Sequence, residues 1–177
     1  MTAVGTLLLI LLIGVRIAAL FTNKYKLEES ATAWADFAHR HNLNAQGHFI
    51  QGTYSGYSLA VDLHGRRVGK SVVPTAALHM LLPAIPPAVK LKRGGFLDGS
   101  VRQQSTTPKM EALLKQPRVQ QCFERVSNAY RDFYIEDSFI HAEQFGSLHT
   151  TEEMEAFIAP ALELARALDE AARSMWS

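Results

Sequence analysis

A single cysteine in 177 residues leaves no partner for an intramolecular disulfide and no set for an all-cysteine metal site. Neither sign of charge prevails: 18 Lys and Arg oppose 17 Asp and Glu, so the composition makes no global case for nucleic-acid binding. No Gly-x-Ser-x-Gly elbow marks a serine hydrolase. Only one long apolar run is present, which excludes a multi-span transporter. A hydrophobic content of 47% excludes a wholly disordered chain, and 11 glycines and 7 prolines exclude a collagen. What remains is one ordinary domain, or one domain plus an anchor.

The apolar run decides between the two. From Ala3 to Phe21 only Gly5, Thr6, Gly14 and Arg16 interrupt 19 residues. As a helix this rises roughly 28 Å, about the hydrocarbon thickness of a bilayer. No Lys or Arg precedes the run and Leu20-Phe21-Thr22 is a poor cleavage site, so an uncleaved span is expected over a signal peptide or a buried core helix. The chain divides into an anchor, residues 1–22, and a domain, residues 23–177, whose hydrophobic content is an ordinary 44% or so. Lys24 and Lys26 flank the inner end of the span and predict a cytoplasmic domain. Arg16 can snorkel to the headgroups there or meet a partner helix.

Residues 27–43 place Leu27, Ala31, Trp34 and Ala38 on one stripe, with Phe37 beside it, an amphipathic helix. Two strands follow, residues 47–52 and 57–63; the second alternates Tyr57, Leu59, Val61 and Leu63 with Ser58, Ala60 and Asp62, as a strand with one solvated face does. A turn is expected at His64-Gly65-Arg66-Arg67, then a strand or strand pair over Val72-Val73 and Thr75–Leu82, a short strand over Val89–Lys92, and loops around the Pro and Gly residues between 83 and 99. Thr107-Pro108 opens a helical region that Pro117 divides. A hairpin spans Phe133–Ile135 and Phe139–Ala142 around Glu136-Asp137-Ser138. Thr150 to Glu153 read as a capping box for a last helix, whose stripe runs Met154, Ile158, Ala161, Ala165, Leu168, Ala172 and Met175; Pro160 inside it predicts a kink. Helix and hairpin recur at 27–63 and 109–145, a faint repeat offset by about 82 residues. The order α-β-β-β-β-α-β-β-α predicts an α+β fold: one antiparallel sheet with helices on one face.

The segments Glu111–Leu114, Val119–Val126, Phe133–Phe139 and Leu164–Leu168, with the early Gly52–Tyr57 hairpin, give the chain a resemblance to bacterial proteins that join an N-terminal span to a small α+β domain. The likeness is carried by core positions and turns. It implies the fold and brings no catalytic residue with it.

Individual motifs are weak. Gly65–Ser71 ends in Gly-Lys-Ser, but only three residues separate its glycines, and Val72-Val73-Pro74 continues it as extended chain where a phosphate loop must open a helix. A basic hairpin turn is the reading. Of seven histidines, His39 and His41 lie two apart and face apart on a helix. His48 with His141 and Glu143 is the one spatial grouping left open; no metal and no cofactor are expected. Cys122 lies on an apolar helix face, as a buried thiol does. Asp132, Glu136, Asp137 and Glu143 could hold a cation, and the exposed faces of a hairpin explain them more cheaply. The last helix's stripe is read as core, and Trp176 is left to fold back, lie at the interface or dock on a partner.

Charge distribution says more. Residues 22–118 carry 13 basic and 6 acidic side chains, residues 119–177 carry 4 and 11, a balance of +7 against −7. Either the two segments face each other, or they form a surface dipole with Lys24, Lys26, Arg66, Arg67, Lys70, Lys90, Lys92 and Arg93 facing anionic lipid or a partner. With an anchor, an ordinary domain and no catalytic constellation, the expected function is a non-catalytic accessory or scaffolding subunit of a membrane protein assembly. It would meet the bilayer through residues 3–21 and other subunits through the basic residues, Arg16 and Trp176. The alternatives are a ligand- or anionic-lipid-sensing domain and an enzyme without a recognisable motif.

Overall fold

The computed structural model describes residues 30–93, 101–105 and 107–176, with the backbone alone at 93, 101–105 and 176. Its fold is α+β. Helix α1, residues 30–40, buries Ser30, Trp34, Phe37 and Ala38, the spacing that puts four side chains on one helical face. It stops three residues before the sequence pattern does. Asn42 takes a left-handed φ of 56°, the Leu43 amide donates to the Ala38 carbonyl and the Asn42 amide to that of His39. This double closure is a Schellman cap, and Asn is the common non-glycine residue there.

Strands β1 (Asn44–Gln46), β2 (Phe49–Tyr54), β3 (Tyr57–Val68) and β4 (Ser71–Leu81) form an antiparallel meander. β5 (Lys90–Arg93) and β6 (Val101–Ser105) follow, then helices α2 (Pro108–Leu114) and α3 (Pro117–Ala129), the hairpin β7 (Asp132–Glu136) and β8 (Phe139–Phe145), and helix α4 (Thr151–Trp176). The eight strands make one sheet in the order β1-β2-β3-β4-β8-β7-β5-β6, every pairing antiparallel. The second hairpin thus slots between β4 and β5, placing β8 beside β4.

Turn chemistry sets the registers. Ser55-Gly56 and Asp137-Ser138 each have two positive φ angles, as the type I′ turns between Tyr54 and Tyr57 and between Glu136 and Phe139 require. These two hairpins stand at the offset of the faint sequence repeat, but a strand follows the first and a helix the second. The tight turn after β3 lies at Gly69-Lys70, with Gly69 at φ 61°, so the expected turn at His64–Arg67 is corrected: those residues continue β3. Pro74 likewise does not divide β4, because it pairs with Gly65 on the stretch of β4 before Thr75, where pairing with β8 begins. β1 and β6 are strands where the sequence reading had none.

One face of the sheet is covered. Val61, Leu78, Ile140 and Phe133 point from four neighbouring strands into a core shared with α1, α2, α3 and α4. Thr107 caps α2, its hydroxyl accepting from the Met110 amide, and Pro117 starts α3 afresh. Thr150 caps α4 by accepting from the Glu153 amide, while the Glu153 carboxylate accepts in return from the His149 amide. From Met154 to Ala172 the α4 stripe is core, as the sequence pattern predicts, and the helix runs on through Pro160. Three long-range bonds lock the helices to distant chain: Ser30 and Trp34 both donate to the Leu148 carbonyl, and the Tyr130 hydroxyl donates to that of Phe157 at 2.5 Å. No described helix is long and apolar enough to cross a membrane, and residues 3–21 lie outside the described residues.

Candidate functional site

Along β4, Leu78 and Met80 are fully buried while His79 between them is 43% exposed; along β8, Ile140 and Ala142 are buried and His141 lies between them on the other face. This two-residue alternation defines a second face of the sheet, which no described helix covers. Its central row crosses the sheet through Gln51, Ala60, His79, His141, Tyr134 and Lys92, each directly opposite the next. Phe49, Tyr134, Phe139 and Phe145 stand on the same face, each 36–38% exposed. Tyr134 and Phe139 both meet the His141 ring, while the Phe145 ring lies under the Arg131 guanidinium at 3.6 Å.

The centre is polar and closely built. The Nδ1 atoms of His79 and His141 face each other at 2.6 Å, and the rings meet edge to face. Tyr134 stacks flat on His141, with ring centroids 4.5 Å apart. Asp62 lies 3.7 Å from His79 Nε2 through one carboxylate oxygen and 3.0 Å from His64 Nδ1 through the other. Desolvation and then the neighbouring His79 charge hold the His141 imidazole below its ordinary pKa, favouring the neutral ring. Burial, and next the carboxylates of Glu136, Glu143 and Asp132, push the Tyr134 hydroxyl up. A hollow of about 140 Å³ opens here, and a shallower concavity of about 370 Å³ continues from His79 past Gln51, Ser58 and Phe139.

The basic residues distribute themselves unequally. Arg66, Lys90 and Lys92 belong to this open face by strand alternation, and Arg66 and Lys90 form ion pairs with Glu143 and Glu136. Arg67 is on the opposite side of β3 and Lys70 sits in the turn. Arg16, Lys24 and Lys26 lie outside the described residues, as do the side chains of Arg93 and Trp176. The +7 and −7 segments meet: Arg66–Glu143, Lys90–Glu136 and Arg118–Glu170 each join one to the other. The expected surface dipole is to that extent neutralised within the domain.

No family model, curated protein or solved structure matches this chain. The assignment of the face therefore rests on its own chemistry. His48 packs edge-on against Trp34 instead of meeting His141, whose partner is His79. Cys122 is buried, its thiol pushed up by desolvation with Glu163 adding to it, and its Sγ approaches the Glu163 carbonyl at 3.8 Å. That is an inert thiol, not a nucleophile. Gly69-Lys70-Ser71 forms a hairpin turn and opens no helix, so it cannot cradle phosphate as a phosphate loop does. The sequence reading missed the His79–His141 pair. Both residues showed an outward phase between apolar neighbours; their pairing depends on β8 lying beside β4.

Proposed function

We propose that the protein is a membrane-anchored binding subunit, an accessory or scaffolding component of a membrane protein assembly that works without catalysis. In this reading residues 3–21 lie in the bilayer, the domain is cytoplasmic, and the open sheet face is the docking surface. The observation that carries it is the aromatic set Phe49, Tyr134, Phe139 and Phe145, left exposed on a face that no described element covers. Aromatic centres with a charged rim, here Lys90, Lys92 and Arg66, are what protein–protein interfaces select. The larger concavity on this face is open and shallow, which favours a macromolecular partner over a small enclosed ligand.

The test is purification of the tagged full chain in mild detergent, with co-purifying chains identified. The double variant Tyr134→Asp, Phe139→Asp should lose them while keeping its circular dichroism. A monomeric, partner-free protein that binds a small ligand saturably would overturn the reading. Sidedness is checked separately: a Ser177→Cys variant should resist a membrane-impermeant thiol reagent applied outside intact cells.

A second reading, anionic-lipid sensing, is favoured by one feature. Beyond Asp62 and Thr75, β3 and β4 pair only with each other, forming a two-stranded ribbon. It carries Arg66, Arg67 and Lys70, no acidic residue, and Val72 at 67% exposure. Basic side chains gain about 1 kcal/mol each at an anionic membrane surface. Unchanged co-purification in an Arg67→Glu, Lys70→Glu variant, with weakened binding to phosphatidylglycerol vesicles, would assign the ribbon to lipid and the sheet face to protein.

A further inference from the structure

Among the described residues no three His, Cys, Asp or Glu side chains close on one point as a ready-made metal cage. Two do converge. His79 and His141 are direct cross-strand partners, so the ladders of β4 and β8 hold their backbones at the short separation of an antiparallel pair. At 2.6 Å the two Nδ1 atoms are at hydrogen-bond distance, so that a proton on one is within reach of the other. A cation can replace that proton. Metal–nitrogen bonds of about 2.0–2.1 Å need the two nitrogens roughly 2.9–3.4 Å apart, an opening of under about 1 Å that rotation of the rings can supply.

We propose that His79 and His141 chelate a borderline transition-metal ion of the Zn²⁺, Ni²⁺ or Cu²⁺ class, seated over the open sheet face. The ring of His141 is fixed in plane by Tyr134 stacked on it. Asp62 Oδ1 lies 3.7 Å from Nε2 of His79, near enough for its charge to favour a cation held by that ring. The hollow beside the pair is lined also by Asp132, whose carboxylate favours a cation, and by Glu143, which pairs with Arg66, and it leaves room for the waters completing the metal's shell. The converging donors are imidazole nitrogens, which suit these metals; Mg²⁺ and Ca²⁺ demand oxygen ligands. The proposal stands independently of the docking reading, because nothing in the chelate requires a partner.

Calorimetric titration of the detergent-solubilised full chain with ZnCl₂ tests it. One equivalent should bind, each of His79→Ala and His141→Ala should weaken that binding at least tenfold, and MgCl₂ should give no heat. Asp62→Asn should weaken it less, while His39→Ala and His149→Ala, at exposed positions away from the pair, should leave it unchanged. Copper-loaded protein gives a readout independent of affinity: electron paramagnetic resonance should show two nitrogen ligands in the parent and one in each single variant. Zinc binding that survives both histidine substitutions, or that disappears with His39 or His149, overturns the proposal. Should His79→Ala fail to fold, His141→Ala with the copper spectrum decides it alone. Loss of zinc binding with co-purification intact would separate this site from the docking surface.

Discussion

The same strands present two different faces, and neighbouring residues belong to opposite regimes. Toward the helices, Leu78, Met80, Ile140 and Phe133 are at most 1% exposed and lie in one continuous core. Toward the other side, His79, His141, Tyr134 and Phe139 are half-exposed and meet ring to ring. The covered face is held mainly by burial of apolar area and tolerates apolar exchanges best when they conserve volume. The open face contributes little burial but concentrates histidines, carboxylates and aromatics whose geometry matters. Apolar burial and polar side-chain chemistry are thereby divided across the thickness of one sheet.

The sharpest way to break that comparison is a pair of substitutions one residue apart. Leu78→Ala leaves a cavity under the sheet and should cost about 2–5 kcal/mol. His79→Ala, on the next residue of β4, should stay within about 0.5–1 kcal/mol, as exposed positions do. Urea unfolding midpoints with unchanged slopes measure both. Comparable losses at the two positions would mean that the open face is part of the structural core.

A smaller effect is expected where α4 meets the edge of the covered face. Tyr57 donates to Asp169 Oδ2 at 2.6 Å, and burial, then that hydrogen bond, push its hydroxyl up from 10.0 to about 12. The folded state therefore holds a proton that the unfolded chain releases first. The stabilisation is complete below pH 10 and is lost as pH rises toward about 12. Tyr57→Phe should remove this component, so that the stability difference between parent and variant is flat below pH 10 and shrinks above it. Equal differences at pH 8 and pH 11.5 would show that the hydroxyl is not held by Asp169. Tyr130, also pushed up by burial, is present in both proteins and cancels.

How far these features were legible in sequence follows the same division. Helix stripes and caps are local, so Trp34 with Phe37, the break at Pro117 and the cap at Thr150 could be read directly. The β3–β4 turn could not. Where the two strands outrun their neighbours both ribbon faces are wet, the alternation of buried and exposed residues disappears, and the charged Gly65–Arg67 stretch resembles a loop. β1, with all three residues exposed, carries no burial pattern at all. The histidine pair shows a further reason. His79 and His141 are 62 residues apart, and their meeting depends on the insertion of β7–β8 between β4 and β5, a non-local choice that no local period encodes. The basic residues were visible, but the acidic residues that neutralise Arg66 and Lys90 belong to the inserted hairpin.

Arg66 offers the finest probe of the open face. Its guanidinium pairs with Glu143 across the sheet, and both side chains remain about a third exposed. Such pairs gain little because water screens the attraction and two long side chains must be held still. Arg66→Ala should therefore change stability by less than about 1 kcal/mol, and the difference should shrink further between 50 mM and 500 mM salt. Its effect on binding should be opposite in kind. Removing the cation frees Glu143 at the edge of the hollow, so zinc affinity should rise modestly, while a partner that uses the charged rim should be released faster. A loss of several kcal/mol in Arg66→Ala would instead tie Glu143 and β8 into the fold through this pair. The division between a covered face that holds the structure and an open face that remains available would then fail at its margin.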